Sequence, residues 1–322
     1  MGGIAVISNP RSGVNRRNPE LLKRLAYVLG DKGELAQPPD LDHLEETVRS
    51  LRERDIDILC VNGGDGTLHK VLSALVRVYG DGLSGEALTR VRLPYIAILK
   101  AGTVNTISRN IGLRMRARPF LGTIVDAWHA DAPLRTVERN LLVVNGGESS
   151  GFLFGTGVLG RFMEAYYEGG TTGPVKGAVV LARAVLSALT GGAFAEALFA
   201  RDDVRLTVDG RRLESPGGYS AIAAGTTNDI GLGFELFHAA KDHPDHVHVL
   251  GFSCGAAVPA ARLHRFYLGR PLHHPEVSDD VVRQFTITGA APLSYMIDGD
   301  FVRSTQQQLH VQAGPRVRFL VP

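Results

Sequence analysis

Several features that are common in proteins are scarce in this chain of 322 residues. The only cysteines are Cys60 and Cys254, too few for a disulfide framework or a structural zinc site. Charge of neither sign dominates, because 35 lysines and arginines face 33 acidic residues. Composition therefore gives no reason to expect a nucleic-acid partner or strong electrostatic recruitment to a membrane. We expect a protein of the reducing cytoplasm.

The chain also lacks an uninterrupted apolar run that could span a bilayer. The sequence enters a predicted strand at Ile4 without the basic and apolar regions of a secretory signal, so we expect no export. The longest apolar stretch, Gly177 to Ala200, is broken by Arg183, Glu196 and the pair Gly191-Gly192. We predict a helix in two pieces there. A helix packed in the core of a second domain is preferred over one that touches a membrane.

Glycine, in contrast, is abundant, and it clusters after predicted strands. Residues Asn62 to Thr67 read Asn-Gly-Gly-Asp-Gly-Thr, follow the apolar run Ile56 to Val61 and precede a helical pattern from Leu68 to Tyr79. Glycines permit positive φ and let a ligand approach the main chain, while the start of a helix attracts anions. The pattern predicts a loop that binds nucleotide phosphates, although an ordinary strand-to-helix turn has the same composition.

Two further loops of this kind support the phosphate interpretation. The strand Ile4 to Ser8 leads into Asn9 to Gly13, and the strand Tyr95 to Leu99 leads into Lys100 to Asn105. Loops at the carboxyl ends of neighbouring parallel strands converge on one crevice, where open α/β sheets bind ligands. The sequence therefore predicts a nucleotide site formed by three loops.

The pattern of predicted strands and helices changes after about Asp131. Before it, strand and helix patterns alternate, which predicts an α/β domain over residues 1–130. After it come short β-rich runs, which predict an antiparallel, sandwich-like second domain over 131–322 with helices inserted around 161–190 and 255–268. We place the boundary near Ala130 to Leu134. The predicted helices of the first domain are Pro19 to Gly30, Asp42 to Arg54, Leu68 to Tyr79 and Thr106 to Ile111.

These motifs resemble the lipid-kinase branch of the diacylglycerol kinase and sphingosine kinase superfamily, which shares a Gly-Gly-Asp-Gly-Thr signature with NAD kinases and phosphofructokinases. Asn9 to Gly13 resembles the opening motif of the family, and Gly63 to Thr67 matches the signature without change. Gly102 to Asn105 is similar to the third nucleotide loop, and Ile297 to Asp300 resembles the catalytic Asp-Gly-Glu segment. The resemblance implies an ATP-dependent lipid kinase that uses Mg²⁺.

The resemblance also implies roles for individual residues. Asp298 becomes the candidate general base for a lipid hydroxyl, and Asp300, at the usual Glu position of the family, joins Asp65 as a candidate catalytic and magnesium-binding carboxylate. Both aspartates also have a purely structural interpretation. Asp65 could cap a helix, and Asp298-Gly299 is a typical hairpin turn. The implied nucleotide-binding residues are Asn9, Arg11, Ser12, Gly13, Gly63, Gly64, Asp65, Gly66, Thr67, Gly102, Thr103 and Asn105.

One segment of the second domain departs from the family pattern. Asp245 to Val249 aligns with a segment that contributes to a structural magnesium site in the family, so that site is in doubt here. His246 and His248 share one face of a predicted strand. We expect solvated surface histidines rather than a transition-metal site with His243 or Asp242.

The expected acceptor is a lipid reached at a membrane surface, so we predict peripheral contact through exposed apolar segments, no nucleic-acid partner, and allow for a homodimer. Thr106 stands where many bacterial diacylglycerol kinases carry an aspartate, so the acceptor need not be diacylglycerol. An NAD kinase is the alternative enzyme. A nucleotide-binding regulator without transfer activity is the alternative of another class, motivated by Thr106 and Asp300.

Overall fold

We analysed a computed structural model, which describes residues 3–30, 33–102, 106–168, 174–228, 230 and 233–322. The chain divides into two compact units. The first consists of Met1–Arg139 together with Pro315–Pro322, and the second of Asn140–Gly314. The division falls a few residues after the predicted boundary, and the last eight residues belong to the first unit, which the sequence patterns do not indicate.

The first unit contains a parallel sheet. Its strands are β1 (Ile4–Ser8), β2 (Glu34–Ala36), β3 (Ile58–Gly63) and β4 (Tyr95–Lys100), in the order β2-β1-β3-β4. The final strand of the chain, β16 (Gln308–Val321), pairs in parallel with β4 through Phe319 and Ile96. Strands β1 and β3 are buried along their whole length, as expected for a sheet with helices on both faces.

Helices follow most of these strands. Leu44, Val48 and Leu51 form the buried stripe of α3, whose first turn is capped by the Asp40 carboxylate through the His43 N–H at 3.0 Å. Helix α4 begins at Asp65, three residues before the predicted start. The helices of this unit are α1 (Gly13–Arg17), α2 (Glu20–Leu29), α3 (Leu41–Glu53), α4 (Asp65–Tyr79), α5 (Gly85–Thr89), α6 (Thr106–Asn110) and α7 (Ala117–His129).

The second unit has two antiparallel sheets, which confirms the predicted β-rich fold class. The first contains the order β16-β13-β8-β9 together with β5 and β6, and the second runs β12-β11-β10-β7-β14-β15. The strands are β5 (Arg135–Val144), β6 (Ser149–Gly151), β7 (Leu153–Gly155), β8 (Val204–Val208), β9 (Arg211–Leu213), β10 (Ala221–Gly225), β11 (Val247–Phe252), β12 (Val277–Val282), β13 (Gln284–Gly289), β14 (Ser294–Ile297) and β15 (Asp300–Arg303).

A hydrophobic core fills the space between these two sheets. Phe154 on β7 stacks on Tyr295 of β14 with ring centroids 5.6 Å apart, and it meets the edge of Phe285 from the opposite sheet at 5.7 Å. Aliphatic side chains of both sheets, among them Leu206 and Val249, surround the three rings. This interdigitation gives the unit its sandwich architecture.

The other face of the second sheet is covered by helices and by the segment before β11. The helices are α8 (Val158–Tyr167), α9 (Pro174–Thr190), α10 (Ala193–Leu198), α11 (Ala257–Ala261) and α12 (Leu263–Tyr267). The predicted two-piece helix is confirmed, since α9 and α10 are separated by Gly191-Gly192.

The preference for a fully packed helix was wrong for α9. Its outward face carries Val175, Val179, Leu186 and Leu189, and the last two are 66% and 61% exposed. Only its inner face packs on the unit, where Val180 is buried. No helix in the described ranges combines the length and apolarity that crossing a membrane requires.

Candidate active site

The three glycine-containing loops leave the same edge of the parallel sheet. Ser8 is paired with Asn62, and Gly63 with Lys100, so the carboxyl ends of β1, β3 and β4 are level with one another. The Ala101 N–H donates to the Gly63 carbonyl at 2.9 Å, and the Val14 N–H donates to the Ala101 carbonyl at 2.9 Å. The predicted convergence of the loops therefore holds within the first unit.

A network of asparagines joins the first two loops. The Asn9 Nδ2 donates to Thr67 Oγ1 at 2.9 Å, and the Asn15 Nδ2 donates to the Asn9 carbonyl at 2.8 Å. Asn62, which is fully buried, donates from Nδ2 to Ser8 Oγ at 2.9 Å. Neither Asn15 nor Asn62 was among the predicted site residues. Their signal in the sequence is that polar amides occupy positions next to buried strands, where they need partners.

Gly63 and Gly64 are glycines because other atoms pack closely against them, and not because their backbone has an unusual conformation. A Cβ on Gly64 would lie 3.0 Å from the Gly102 Cα, and a Cβ on Gly63 would lie 2.4 Å from the Thr67 Cβ. Gly64 itself has an extended backbone with φ −97°. A positive φ, which was expected from the sequence, is therefore not the reason for glycine at these two positions. They leave room for the Thr67 side chain and for the third loop next to the main chain at the start of α4.

This packing predicts the effect of a single methyl group. Gly64→Ala should weaken ATP binding by about tenfold, because the new Cβ forces the second and third loops apart by a few tenths of an ångström. Gly122→Ala is the matched control, since Gly122 lies in α7 with open space around its Cβ position. Nucleotide titration of both variants checks the prediction. Equal affinity of Gly64→Ala and the wild type would contradict it.

Asp65 links the second loop to the start of another helix. It is the first residue of α4, and its Oδ2 accepts the backbone N–H of Thr106, the first residue of α6, at 2.9 Å. Asp65 therefore caps a helix, but this helix is α6 and not α4, to which Asp65 itself belongs. Thr106, which stands where the family often has an acid, supplies a donor here. A magnesium-binding role for Asp65 stays a prediction.

The remaining predicted residues of the first unit fall at the same edge. Ser12 Oγ donates to the Asn9 carbonyl at 3.0 Å, and the backbone N–H of Arg11 donates to Asn9 Oδ1 at 2.9 Å, while the Arg11 side chain is exposed. Gly13 opens α1, and Gly66 and Thr67 lie in the first turn of α4. Thr103 and Asn105 fall outside the described residues.

In the second unit, Asp298 occupies a tight turn between β14 and β15. Asp298 and Gly299 have φ of 48° and 91°, so the Asp-Gly hairpin turn predicted as the local reading is present. The carboxylate is held in place, because its Oδ1 accepts the N–H groups of Phe152 and Leu153, both at 2.9 Å. A Cβ on Gly151 would meet Asp298 Oδ2 at 2.5 Å. Gly151 therefore keeps space for this carboxylate.

Asp300 lies on the same hairpin, as the first residue of β15, and it is partly exposed. Tyr167 at the end of α8 approaches this hairpin, with its hydroxyl 3.5 Å from the Gly299 carbonyl. Burial and the nearby Asp300 carboxylate raise the pKa of Tyr167. Tyr167 was not among the predicted site residues, because no sequence motif marks it. Whether the hairpin of the second unit and the loops of the first act on one substrate stays a prediction.

An apolar cavity of about 330 Å³ lies under the helical layer of the second unit. None of the described residues that line it is charged, and its volume is within the range of small-molecule sites. Leu153, whose N–H holds Asp298, and Met296, two residues before Asp298, belong to the wall. The wall consists of Leu153, Phe154, Val158, Leu159, Phe162, Met163, Leu181, Phe199, Ala221, Ala223, Ile230, Phe234, Leu236, Phe237, Phe252, Pro259, Leu263, Phe266 and Met296.

The histidine segment differs from the expectation of solvated side chains. His248 on β11 is fully buried, and its Nε2 lies 2.7 Å from Asp279 Oδ1. His246 is partly exposed and contacts the Pro244 carbonyl through Nδ1 at 3.0 Å. Asp245, in the segment that aligns with the magnesium site of the family, accepts the Asn140 Nδ2 at 3.1 Å. The two histidines thus have separate surroundings.

The first unit resembles a known catalytic domain. Residues 3–135 match the diacylglycerol kinase catalytic domain. The resemblance drawn from the motifs is confirmed over this segment, which contains all three loops. No curated protein matches the sequence.

Solved structures extend the likeness in fold to the whole chain. A structure described as a diacylglycerol kinase from Bacillus anthracis str. Sterne superposes with a TM-score of 0.63 at 13% identity, covering 99% of this chain and 97% of that one. A second structure from that organism, provisionally described as a diacylglycerol kinase, has a TM-score of 0.68 at 14% identity and covers 99% of this chain and 95% of that one. At such identity the similarity concerns the fold, which is that of diacylglycerol kinase-like proteins in both units.

Proposed function

We propose that this protein is an ATP-dependent lipid kinase that transfers the γ-phosphate to a hydroxyl group of a lipid. The observation that carries the proposal is the apolar cavity whose wall adjoins Asp298. A catalytic domain of the diacylglycerol kinase type accounts for the nucleotide, and the cavity supplies a place for an acyl or alkyl chain. This combination favours a lipid over NAD as the acceptor.

The nucleotide half of the proposal rests on the first unit. Gly63 and Gly64 let Thr67 and the third loop pack closely against the main chain at the start of α4, where main-chain N–H groups are proposed to bind the phosphates. Asn9 and Thr67, joined by their hydrogen bond, fix the first two loops relative to each other. Asp65 is the carboxylate of these loops that would hold Mg²⁺. When bound, the ion neutralises charge on the phosphates.

The acceptor half rests on the second unit. A chain in the cavity would present its hydroxyl end near the wall residues Leu153 and Met296, next to the Asp298 carboxylate. The two N–H groups on Oδ1 keep that carboxylate in one orientation, and the Asp298 carboxylate is the proposed proton acceptor. Loss of the proton makes the hydroxyl oxygen a better nucleophile toward phosphorus. Asp300 and Tyr167 are proposed to position the polar head of the lipid beside it.

A transfer assay tests the proposal and separates it from its alternatives. Purified protein is incubated with γ-labelled ATP and Mg²⁺, and diacylglycerol, a sphingoid base, a total lipid extract or NAD is added in turn. We expect label in a lipid product. Label only in NAD would identify an NAD kinase, and ATP binding without transfer to any acceptor would indicate a regulator. Either outcome would reject the proposed function.

The exposed face of α9 is proposed as the contact with the membrane that supplies the lipid. Leu181 on the inner side of α9 lines the cavity, while Val175, Val179, Leu186 and Leu189 point outward. Apolar side chains of this size bind a bilayer interface without spanning it. The helix thus joins the cavity wall to a surface suited to lipid.

Replacing two of these side chains should weaken membrane binding. Leu186→Asp combined with Leu189→Asp should lower partitioning onto phosphatidylcholine and phosphatidylglycerol vesicles by about tenfold or more, since each buried leucine contributes about 1.5 kcal/mol or more. Tyr27→Asp, an exposed apolar position in the first unit, is the control. Co-sedimentation measures the effect. Unchanged sedimentation of the double variant would exclude α9 as the contact.

A further inference from the structure

Three side chains from separate parts of the second unit meet at the edge of its second sheet. His248 lies on β11 and Asp279 on the neighbouring strand β12, where Leu250 pairs with Asp279 and His248 with Val281. His248 and Asp279 are therefore diagonal neighbours on one face of the sheet. His238 comes from the turn that precedes β11. This cluster is distinct from the pairing of His246 and His248 with His243 or Asp242 that the sequence suggested.

The distances within the cluster are those of potential metal ligands. His248 Nε2 lies 2.7 Å from Asp279 Oδ1, and His238 Nε2 lies 3.1 Å from Asp279 Oδ2. One donor atom from each of the three residues lies within 4.8 Å of the others. Donors at about 2.0–2.2 Å from zinc in a tetrahedral site are about 3.3 Å apart. Small shifts would bring the three into that arrangement.

Burial and charge also suit a cation. The His248 side chain is 0% exposed, whereas those of His238 and Asp279 are 24% and 28% exposed. Burial by itself raises the pKa of Asp279, but hydrogen bonds from His248 and His238 outweigh it, so the pKa is lowered overall. The cluster thus holds a carboxylate beside two imidazoles, with a partly exposed side through which an ion and water can enter.

We propose that His238, His248 and Asp279 bind a divalent transition-metal ion of the zinc type, with water as the remaining ligand. Imidazole nitrogen and carboxylate oxygen are ligands that zinc accepts readily. Mg²⁺ prefers oxygen ligands and is not the ion that this set selects. The ion is separate from the one proposed for phosphoryl transfer.

Metal binding requires one proton to move. The Ala239 N–H points at His248 Nδ1 at 3.4 Å, which places the proton of the neutral ring on Nε2, facing Asp279. An ion bound at Nε2 replaces that proton, and Nδ1 takes up a proton in turn. The long bond from Ala239 is then lost. Its backbone amide is consequently a local reporter of metal binding.

The site would stabilise the wall of the apolar cavity. Phe237, next to His238 in sequence, lies edge-on to the His248 ring with centroids 5.8 Å apart, and it also lines the cavity. An ion held by His238 and by the two strands would fasten this part of the chain to the sheet. We therefore assign the metal a structural role.

Metal titration of the full chain tests the proposal. After treatment with EDTA, the protein should bind one equivalent of Zn²⁺ or Co²⁺, show the visible absorption of Co²⁺ in a low-symmetry nitrogen and oxygen site, and melt at a higher temperature with Zn²⁺ than without it. The Ala239 amide resonance should shift. Mg²⁺ should produce none of these changes.

His238→Ala is the decisive variant, because His238 is partly exposed and its removal leaves β11 and β12 intact. It should weaken Zn²⁺ affinity by about 100-fold or more, since even residues that only support a ligand contribute 10- to 100-fold. His246→Ala, two residues from His248 but outside the cluster, should bind Zn²⁺ like the wild type. Asp279→Asn should behave like His238→Ala.

Two results would overturn the proposal. One is a wild-type chain that takes up no stoichiometric Zn²⁺ or Co²⁺, which would leave His238, Asp279 and His248 as a hydrogen-bonded triad without an ion. The other is a His238→Ala variant that binds either ion as tightly as the wild type. Neither result bears on the lipid kinase assay, so failure here is distinguishable from failure of the proposed function.

Discussion

Asp298→Asn should lower the rate of phosphoryl transfer by about 10²- to 10⁴-fold and leave ATP affinity unchanged. Asparagine has nearly the shape of aspartate, tolerates the positive φ of 48°, and offers an Oδ1 to the N–H groups of Phe152 and Leu153. What it loses is the ability to take a proton from the lipid hydroxyl. Initial rates with labelled ATP and the accepted lipid measure the first effect, and nucleotide titration the second.

The chain offers a matched control in a second turn of the same kind. Asp209 and Gly210 have φ of 43° and 80°, and the Asp209 carboxylate accepts the N–H groups of Arg283 and Gln284 at 3.2 and 3.0 Å. Asp209→Asn makes the same chemical change in a turn of the same kind and should retain full activity, although it gives up one hydrogen bond because Asp209 accepts the two N–H groups on different oxygens. Comparable loss in both variants, or turnover retained by Asp298→Asn, would remove Asp298 as the base.

Filling the apolar cavity should lower the turnover of long-chain lipids by about 100-fold. Ala223 is buried on β10 with its side chain in the cavity wall, so Ala223→Phe places an aromatic ring in the space of about 330 Å³. Displacing four methylene groups of a bound chain forfeits about 3 kcal/mol, which is about a 100-fold loss in kcat/KM. Kinetics with acceptors of increasing chain length measure this loss.

The dependence on chain length is what makes the result specific. A short-chain acceptor that does not fill the cavity should be phosphorylated by Ala223→Phe about as fast as by the wild type. Ala197→Phe, an exposed position on α10, should affect neither acceptor. If Ala223→Phe used the long-chain lipid normally, the cavity would not be the acyl site. A thermal melt of each variant controls for damage to the fold.

Much of the fold was predictable because the relevant patterns are local. The alternation of buried strand and amphipathic helix predicted the parallel sheet, and the short β-rich runs after Asp131 predicted the strands of the two antiparallel sheets. The boundary of α4 was not predictable in the same way. Apolar periodicity begins at Leu68, but the helix starts at Asp65, whose carboxylate is used by the N–H of Thr106, 41 residues later.

The site was predictable to the extent that its chemistry is carried by short motifs. Gly63 and Gly64 could be selected from their neighbours in sequence, but the reason for Gly64, the approach of Gly102, depends on a contact between loops. Tyr167 and the asparagine network depend entirely on such contacts. The cavity is likewise invisible in the sequence, since its apolar residues are spread from Leu153 to Met296 and resemble any core.

A cluster that depends on contacts between distant parts of the chain cannot be predicted from motifs, and this holds for His238, His248 and Asp279. Alternation in the sequence predicts His246 and His248 on one face of a strand, which made them look like partners, but β11 begins at Val247 and leaves His246 outside it. Strand pairing instead gives His248 a neighbour on β12, Asp279, which is 31 residues away. Periodicity reports the direction of a side chain but not which side chain it meets.

The path of β16 bears on how the polypeptide must be made. Gln308 to Gly314 belong to the second unit, and Pro315 to Pro322 supply the neighbour of β4 through Phe319 and Ile96. When only the amino-terminal half of the chain has been synthesised, this neighbouring strand does not yet exist. The edge of β4 then has unpaired main-chain groups. The glycine loops thus reach their final surroundings only once Pro315 to Pro322 have been synthesised, and a fragment cut after residue 135 would keep these loops while lacking a strand of their sheet.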